Sequence, residues 1–167
     1  MIWPEKFDQN EWYAIITSMV MITLIMALPK RFPPIVSVII FMIGLSFSRF
    51  ADHLFGSVGR FDHYDVMDSS KFEWFDLFTY PLYGYSAYIF IYLYSWLQLR
   101  KFWSKTLYIL FWSIFGTIFE YTASLFDFFN YKNWSLYWSL ITYLVVQPIT
   151  IILFHWVMNL HKRHVMK

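Results

Sequence analysis

Thr106–Phe129, TLYILFWSIFGTIFEYTASLFDFF, decides how the rest of the chain is read. It is apolar enough, and at 24 residues long enough, to cross a bilayer as a helix, which takes roughly 20 apolar residues. It also carries Glu120 well inside the apolar run. An ionisable side chain in hydrocarbon is expensive, and by default it marks a site.

Outward from this stretch, the other apolar residues also come in runs rather than stripes. Of 167 residues, 59% are hydrophobic and 14% charged, against roughly 25% charged in an average soluble domain. The reading is an all-α polytopic membrane protein, one domain over residues 1–167. It has five transmembrane helices in one bundle, at about 12–28, 35–55, 74–99, 106–129 and 134–160. Pro29, Pro33 and Pro34 end the first helix and start the second, because proline lacks an N–H and fixes φ. Glu5, Asp8 and Glu11 have the wrong sign for a secretory leader, so the first run is expected to stay as a mature helix. Cysteine is absent, which excludes disulfides, thiolate metal sites and cysteine nucleophiles.

Orientation follows from lysine and arginine in short loops. Lys30, Arg31, Arg100, Lys101, Lys105, Lys162, Arg163 and Lys167 fall on one side, with no acid among them. The other side is rich in acids, among them Asp62, Asp65, Asp68 and Glu73. The N-terminus is therefore expected outside and the C-terminus in the cytoplasm. Trp12, Trp74, Trp103, Trp134 and Trp156 fall near the predicted interfaces, where aromatic belts form.

Depth is estimated from a rise of ~1.5 Å per residue. Arg49 and Glu120 lie roughly 22 Å, and Gln147 about 21 Å, from the cytoplasmic edge by that count. Three polar side chains from three helices are thus predicted at one level. Pro148 is expected to bend the fifth helix and turn Gln147 inward. Ser113, Thr117, Glu120, Ser124 and Asp127 recur every three or four residues and predict one polar stripe. Asp52 and His53 close the second helix, and Asp76, Tyr80 and Tyr83 share a face of the third. The candidate intramembrane cluster is Arg49, Glu120 and Gln147. The candidate outer pocket is Asp52, His53, Asp76, Tyr80, Tyr83, Ser124 and Asp127. Two readings follow: an Arg49–Glu120 pair flooring an outward pocket, or the same groups as structural glue, with Arg49 snorkelling to the interface.

Asp62-His63-Tyr64-Asp65-Val66-Met67-Asp68 spaces acids for oxygen ligation of a cation. It lacks the glycine and terminal glutamate of a calcium loop, so a solvated acidic loop is the plainer reading. No H-E-x-x-H, G-x-S-x-G, Walker A or G-x-G-x-x-G occurs. No enzyme activity, metal or cofactor is expected. The basic clusters match the orientation rule and do not imply nucleic acid.

The LPKRFP turn (Leu28–Pro33), Tyr64-Asp65, Asp68, Phe72-Glu73 and Asp76 of the outer loop, Phe119-Glu120, and Gln147-Pro148-Ile149-Thr150 carry a resemblance. The chain resembles a group of small multi-helix membrane proteins, without assigned activity, from Bacillus-type spore-forming bacteria. The resemblance implies a bacterial plasma membrane, multi-pass, and no catalytic residue. The expected partners are the lipid bilayer and another membrane protein. The leading expectation is an accessory or assembly component with a buried polar cluster. The alternative is an outward-facing binding or transport protein for a small polar solute or proton.

Overall fold

Local chemistry sets the helix ends. Asp8 opens the first helix, α1 (Gln9–Ala27), with a capping box: Asp8 Oδ1 accepts from the Asn10 N–H, and Glu11 Oε2 from the Asp8 N–H at 2.8 Å. Residues expected to flank the helix are thereby drawn into its first turn. Pro34 occupies the first position of α2 (Pro34–Phe55), where its missing N–H is harmless. The third helix, α3 (Asp76–Leu97), stops at Gln98, which is left-handed at φ 48°. The fourth, α4 (Phe102–Ser124), starts four residues before the expected Thr106, because the basic turn itself is helical. It ends five residues before the expected Phe129, where the chain turns through Asp127 at φ 54°. The fifth, α5 (Leu136–Val165), runs unbroken through Pro148 and into the basic tail. Lys162, Arg163 and His164 lie in its last turn, where cations suit the helix dipole.

These elements come from a computed structural model, which describes residues 7–56, 60–67 and 74–165. Asp68, Lys71 and Glu73 of the acidic loop lie outside the described residues, as does the side chain of Asp76. Four helices, α1, α2, α4 and α5, are long and apolar enough to cross a membrane. The fifth, α3, has the length at 22 residues, but six of them are tyrosines, which lower its apolarity.

Two three-residue strands were not expected. In β1 (Tyr64–Val66) and β2 (Phe129–Tyr131) the outer loop pairs with the α4–α5 connection. The pairing is antiparallel, with Tyr64 opposite Tyr131, Asp65 opposite Asn130 and Val66 opposite Phe129. The acids of the loop are drawn into this lid: Lys132 Nζ lies 2.6 Å from Asp62 and 2.9 Å from Asp65.

The α2–α3 contact is the most extensive between helices, followed by α4–α5; α1 packs on α3, while α2 and α4 barely touch. Glycine makes the closest approach possible. A Cβ on Gly44 would lie 2.5 Å from both Ala87 Cβ and the Tyr83 carbonyl. One apolar cluster fills the half of the bundle away from the strands, the inner half in the expected orientation, around Val36, Ile40, Ile91, Tyr108, Phe154 and Val157. A second lies under this strand pair, a hairpin in shape though its strands are far apart in sequence, around Ala14, Tyr64, Met67, Leu82, Phe128 and Phe129. Most apolar residues of α1 face outward, among them Ile16, Met19, Val20 and Met26.

Candidate functional site

Between the two apolar clusters the helices and strands line a partly open chamber of about 370 Å³. Ligand pockets commonly measure ~300–1,000 Å³. Its walls are mainly apolar and aromatic, including Phe47, Phe90, Trp112, Phe115 and Phe119. Its acidic groups are Asp52 from α2 and Glu120 from α4.

Hydroxyls hold Glu120. Tyr131 donates to Oε1 at 2.6 Å, Ser139 to the same oxygen at 2.5 Å, and Tyr143 to Oε2 at 2.8 Å. Trp134 Nε1 donates to Ser139 Oγ at 2.8 Å and so fixes the serine behind the carboxylate. The Tyr143 ring packs beside Gly116, where even an added Cβ would meet it only at 3.4 Å, an ordinary contact distance. The glycine sits one turn before Glu120, so a ring beside Gly116 brings its hydroxyl within reach of the carboxylate.

Asp52 Oδ1 accepts from the Tyr64 hydroxyl at 2.8 Å. Tyr64 and Tyr131 face each other across the strand pair. Cross-strand partners project from the same side of a sheet. One tyrosine pair of the hairpin therefore reaches down to two carboxylates on two different helices. Burial pushes the Tyr64 phenol well above its ordinary range, and the Asp52 and Glu120 carboxylates push it further. Burial and then Glu120 do the same to Tyr131. Both phenols therefore stay protonated and donating at physiological pH.

The expected Arg49–Glu120 ion pair is not formed. Among the described residues, the ion pairs are those of Lys132 with Asp62 and Asp65. Arg49 is exposed, lies over the Tyr80 ring at 4.9 Å from its centroid, and donates to the Tyr80 hydroxyl. One residue along a helix turns the side chain by about 100°. Ser48 and Asp52 take the chamber face of α2, and Arg49 is left facing α3.

Gln147 lines the chamber as expected, but not at the level of Glu120. It accepts from Ser113 Oγ at 3.2 Å. Ser113 lies seven residues before Glu120, or ~10 Å deeper. Counting inward from His161 misplaces it, because α5 continues as a helix to Val165, so His161 does not mark its end.

Of the expected outer pocket, Asp52 and Tyr83 line the chamber. His53 is exposed, and Tyr80 is buried beside Arg49. Ser124 is spent on its own helix, donating to the Tyr121 carbonyl at 2.8 Å. Asp127 has left the helix and accepts from Gln9 Nε2 at 2.5 Å, which ties α1 to the α4–β2 turn. The stripe from Ser113 to Asp127 is thus not a continuous path. Sequence reasoning missed Tyr64, Tyr131, Ser139 and Tyr143 as partners of the two carboxylates. Tyr64-Asp65-Val66 and Phe129-Asn130-Tyr131 each place one polar residue between two strand-forming ones, a pattern too short to signal a strand by itself.

Comparison of the chain with protein-family models, with curated proteins and with solved structures gave no match.

Proposed function

We propose that this is a five-span protein of a bacterial plasma membrane that binds a small molecule in the chamber beneath Asp52 and Glu120. The observation that carries this reading is the chamber itself: an apolar space with two carboxylates at its outer end. A cluster serving packing alone would be expected to be filled. The apolar wall favours a ligand with an apolar body and one polar end over a fully polar solute.

The topology proposal keeps α3 as a span. Its 22 residues cover ~33 Å, enough for a core of ~30 Å. Neighbouring helices shield its tyrosines, with Tyr80, Tyr92 and Tyr94 buried. The basic loops put the N-terminus outside and the hairpin on the outer face. The hairpin roofs the chamber. On its flank Tyr13 of α1 meets Thr122 and Phe119 of α4, and Met21, Leu24, Trp112 and Phe115 add apolar side chains to the wall. The partners in this reading are the bilayer and the ligand, and the role is binding rather than catalysis. The resemblance to membrane proteins of spore-forming bacteria supports the compartment.

A second reading has one observation in its favour. Glu120 is fully occupied by three hydroxyl donors, which suits an accessory or assembly component held together by its polar cluster.

The test is native mass spectrometry of the protein released from its membrane in mild detergent. The wild-type chain should carry a bound small molecule. Ser86→Trp, which fills the chamber from α3, should carry much less. Bare chains in both would remove the binding reading and leave the structural one.

A further inference from the structure

We propose that the chamber takes a primary organic amine with an aromatic or alkyl body, its ammonium held by Ser48, Asp52 and Glu120; this rests on the binding reading above.

Charge is the first consideration. A carboxylate withdrawn from water needs a compensating cation or strong donors. Two carboxylates face this chamber, and among the described residues lining it there is no lysine, arginine or histidine. Arg49, one residue from Ser48, turns to Tyr80 instead. Even with Arg49 counted, two carboxylates stand against one guanidinium. Tyrosine and serine hydroxyls supply dipoles but no charge. A cation inside the chamber completes the balance.

The second observation is independent of the acids. Ser48 is 7% exposed, lines the chamber, and its hydroxyl has no hydrogen-bond partner among the described residues. A buried hydroxyl left unpartnered is destabilising by ~1–3 kcal/mol. Serine in a helix can usually donate to the carbonyl four residues back, as Ser46 does to Met42 at 2.7 Å. Ser48 instead leaves its oxygen buried and unpartnered in the chamber wall. It stands one turn before Asp52 on the same face of α2. An ammonium group carries three N–H donors. Ser48 Oγ, an oxygen of Asp52 and an oxygen of Glu120 offer three acceptors.

The body of the ligand follows from the walls. Beyond the acidic end, the chamber presents Phe47, Phe90, Trp112, Phe115 and Phe119. These rings suit an apolar chain or ring, and any faces turned to the ammonium add cation–π attraction. A sugar, amino acid or phosphate would lose its hydration against these walls, and an anion would also meet two like charges.

The experiment uses three probes of one skeleton: 4-phenylbutylamine, 4-phenylbutanol and 4-phenylbutyrate. Binding to the full chain in non-ionic detergent at pH 7 is measured by isothermal titration calorimetry. The amine is expected to bind at least tenfold more tightly than the alcohol, and the carboxylate weakest. Asp52→Asn and Glu120→Gln should each weaken amine binding tenfold or more and leave the alcohol unchanged. Ser48→Ala should weaken the amine about threefold. Thermal unfolding of each unliganded variant serves as the folding control. Glu120→Gln disturbs three hydroxyl contacts, so Asp52→Asn carries the test if that variant does not fold. Equal binding of amine and alcohol, insensitive to Asp52→Asn but abolished by Ser86→Trp, would overturn the amine assignment and keep the chamber as a site. Failure of all three probes to bind would overturn both.

Discussion

The two ends of the bundle are built differently. At the inner end, apolar side chains from four helices interlock around Ile40 and Ile91, each 0% exposed. Its polar groups are mostly satisfied within the cluster, as where the Tyr108 hydroxyl donates to the Phe90 carbonyl at 2.5 Å. At the outer end, helices that scarcely meet are joined by a hairpin whose phenols reach two carboxylates. Packing does not depend on any single atom's direction, whereas a hydrogen bond does. The inner end should therefore behave as a fixed base, and the outer end as the part that yields first.

The comparison is tested most severely at its base. Ile91→Ala leaves a cavity in a fully buried site. A loss of ~2–5 kcal/mol is expected in reversible unfolding from mixed micelles. A loss under 1 kcal/mol would mean that the inner end is not the better packed one. Next comes Gly44→Val, where the added Cβ meets Ala87 Cβ and the Tyr83 carbonyl at 2.5 Å. Overpacking typically destabilises by ~1–3 kcal/mol, and a backbone neighbour cannot swing aside. Gly116→Ala, with its nearest atom at 3.4 Å, should be tolerated by comparison. Equal effects at both glycines would contradict the α2–α3 contact described above.

Tyr131→Phe should act on the outer end alone. Glu120 keeps Ser139 and Tyr143 as donors, so the net loss is about 1 kcal/mol. Hydrogen exchange should quicken in the hairpin and stay unchanged in the inner turns of α3. Uniform quickening would show one cooperative unit instead of two regions. The smallest effect belongs to Lys132, whose side chain is partly exposed and held by Asp62 and Asp65. Hydrogen bonds to these acids raise its pKa above 10.5. A raised cationic pKa means that the stabilisation is complete below the unfolded value and fades as pH climbs through the folded one. Hairpin protection should therefore be flat from pH 6 to 9 and fall only above that. Lys132→Met should remove the fall.

The helices were legible because composition and length identify a span without knowledge of neighbours. Glu120 was legible for a related reason, being a carboxylate in the middle of Thr106–Phe129. Its partners were not. Arg49 and Glu120 count to the same depth, but depth says nothing of azimuth, and the α2–α3 packing at Gly44 turns Arg49 toward Tyr80. The hairpin was illegible because three-residue strands are too short to show a period. Its pairing joins residues more than 60 positions apart. The acids of the outer loop suggested a cation site, and the cation that Asp62 and Asp65 hold is the chain's own Lys132.

The tyrosine pair has a mechanical consequence. Tyr64 grips α2 through Asp52, and Tyr131 grips α4 through Glu120. The strand pair between them acts as a tie beam across the roof. Any force spreading α2 from α4 runs in series through one phenol bond, the strand ladder and the other phenol bond. A series linkage parts at its weakest member, and a single Tyr64–Asp52 bond is weaker than a ladder whose bonds share the load. Glu120 has three grips where Asp52 has one described here, so the beam should detach at the α2 end and swing away still fastened to α4.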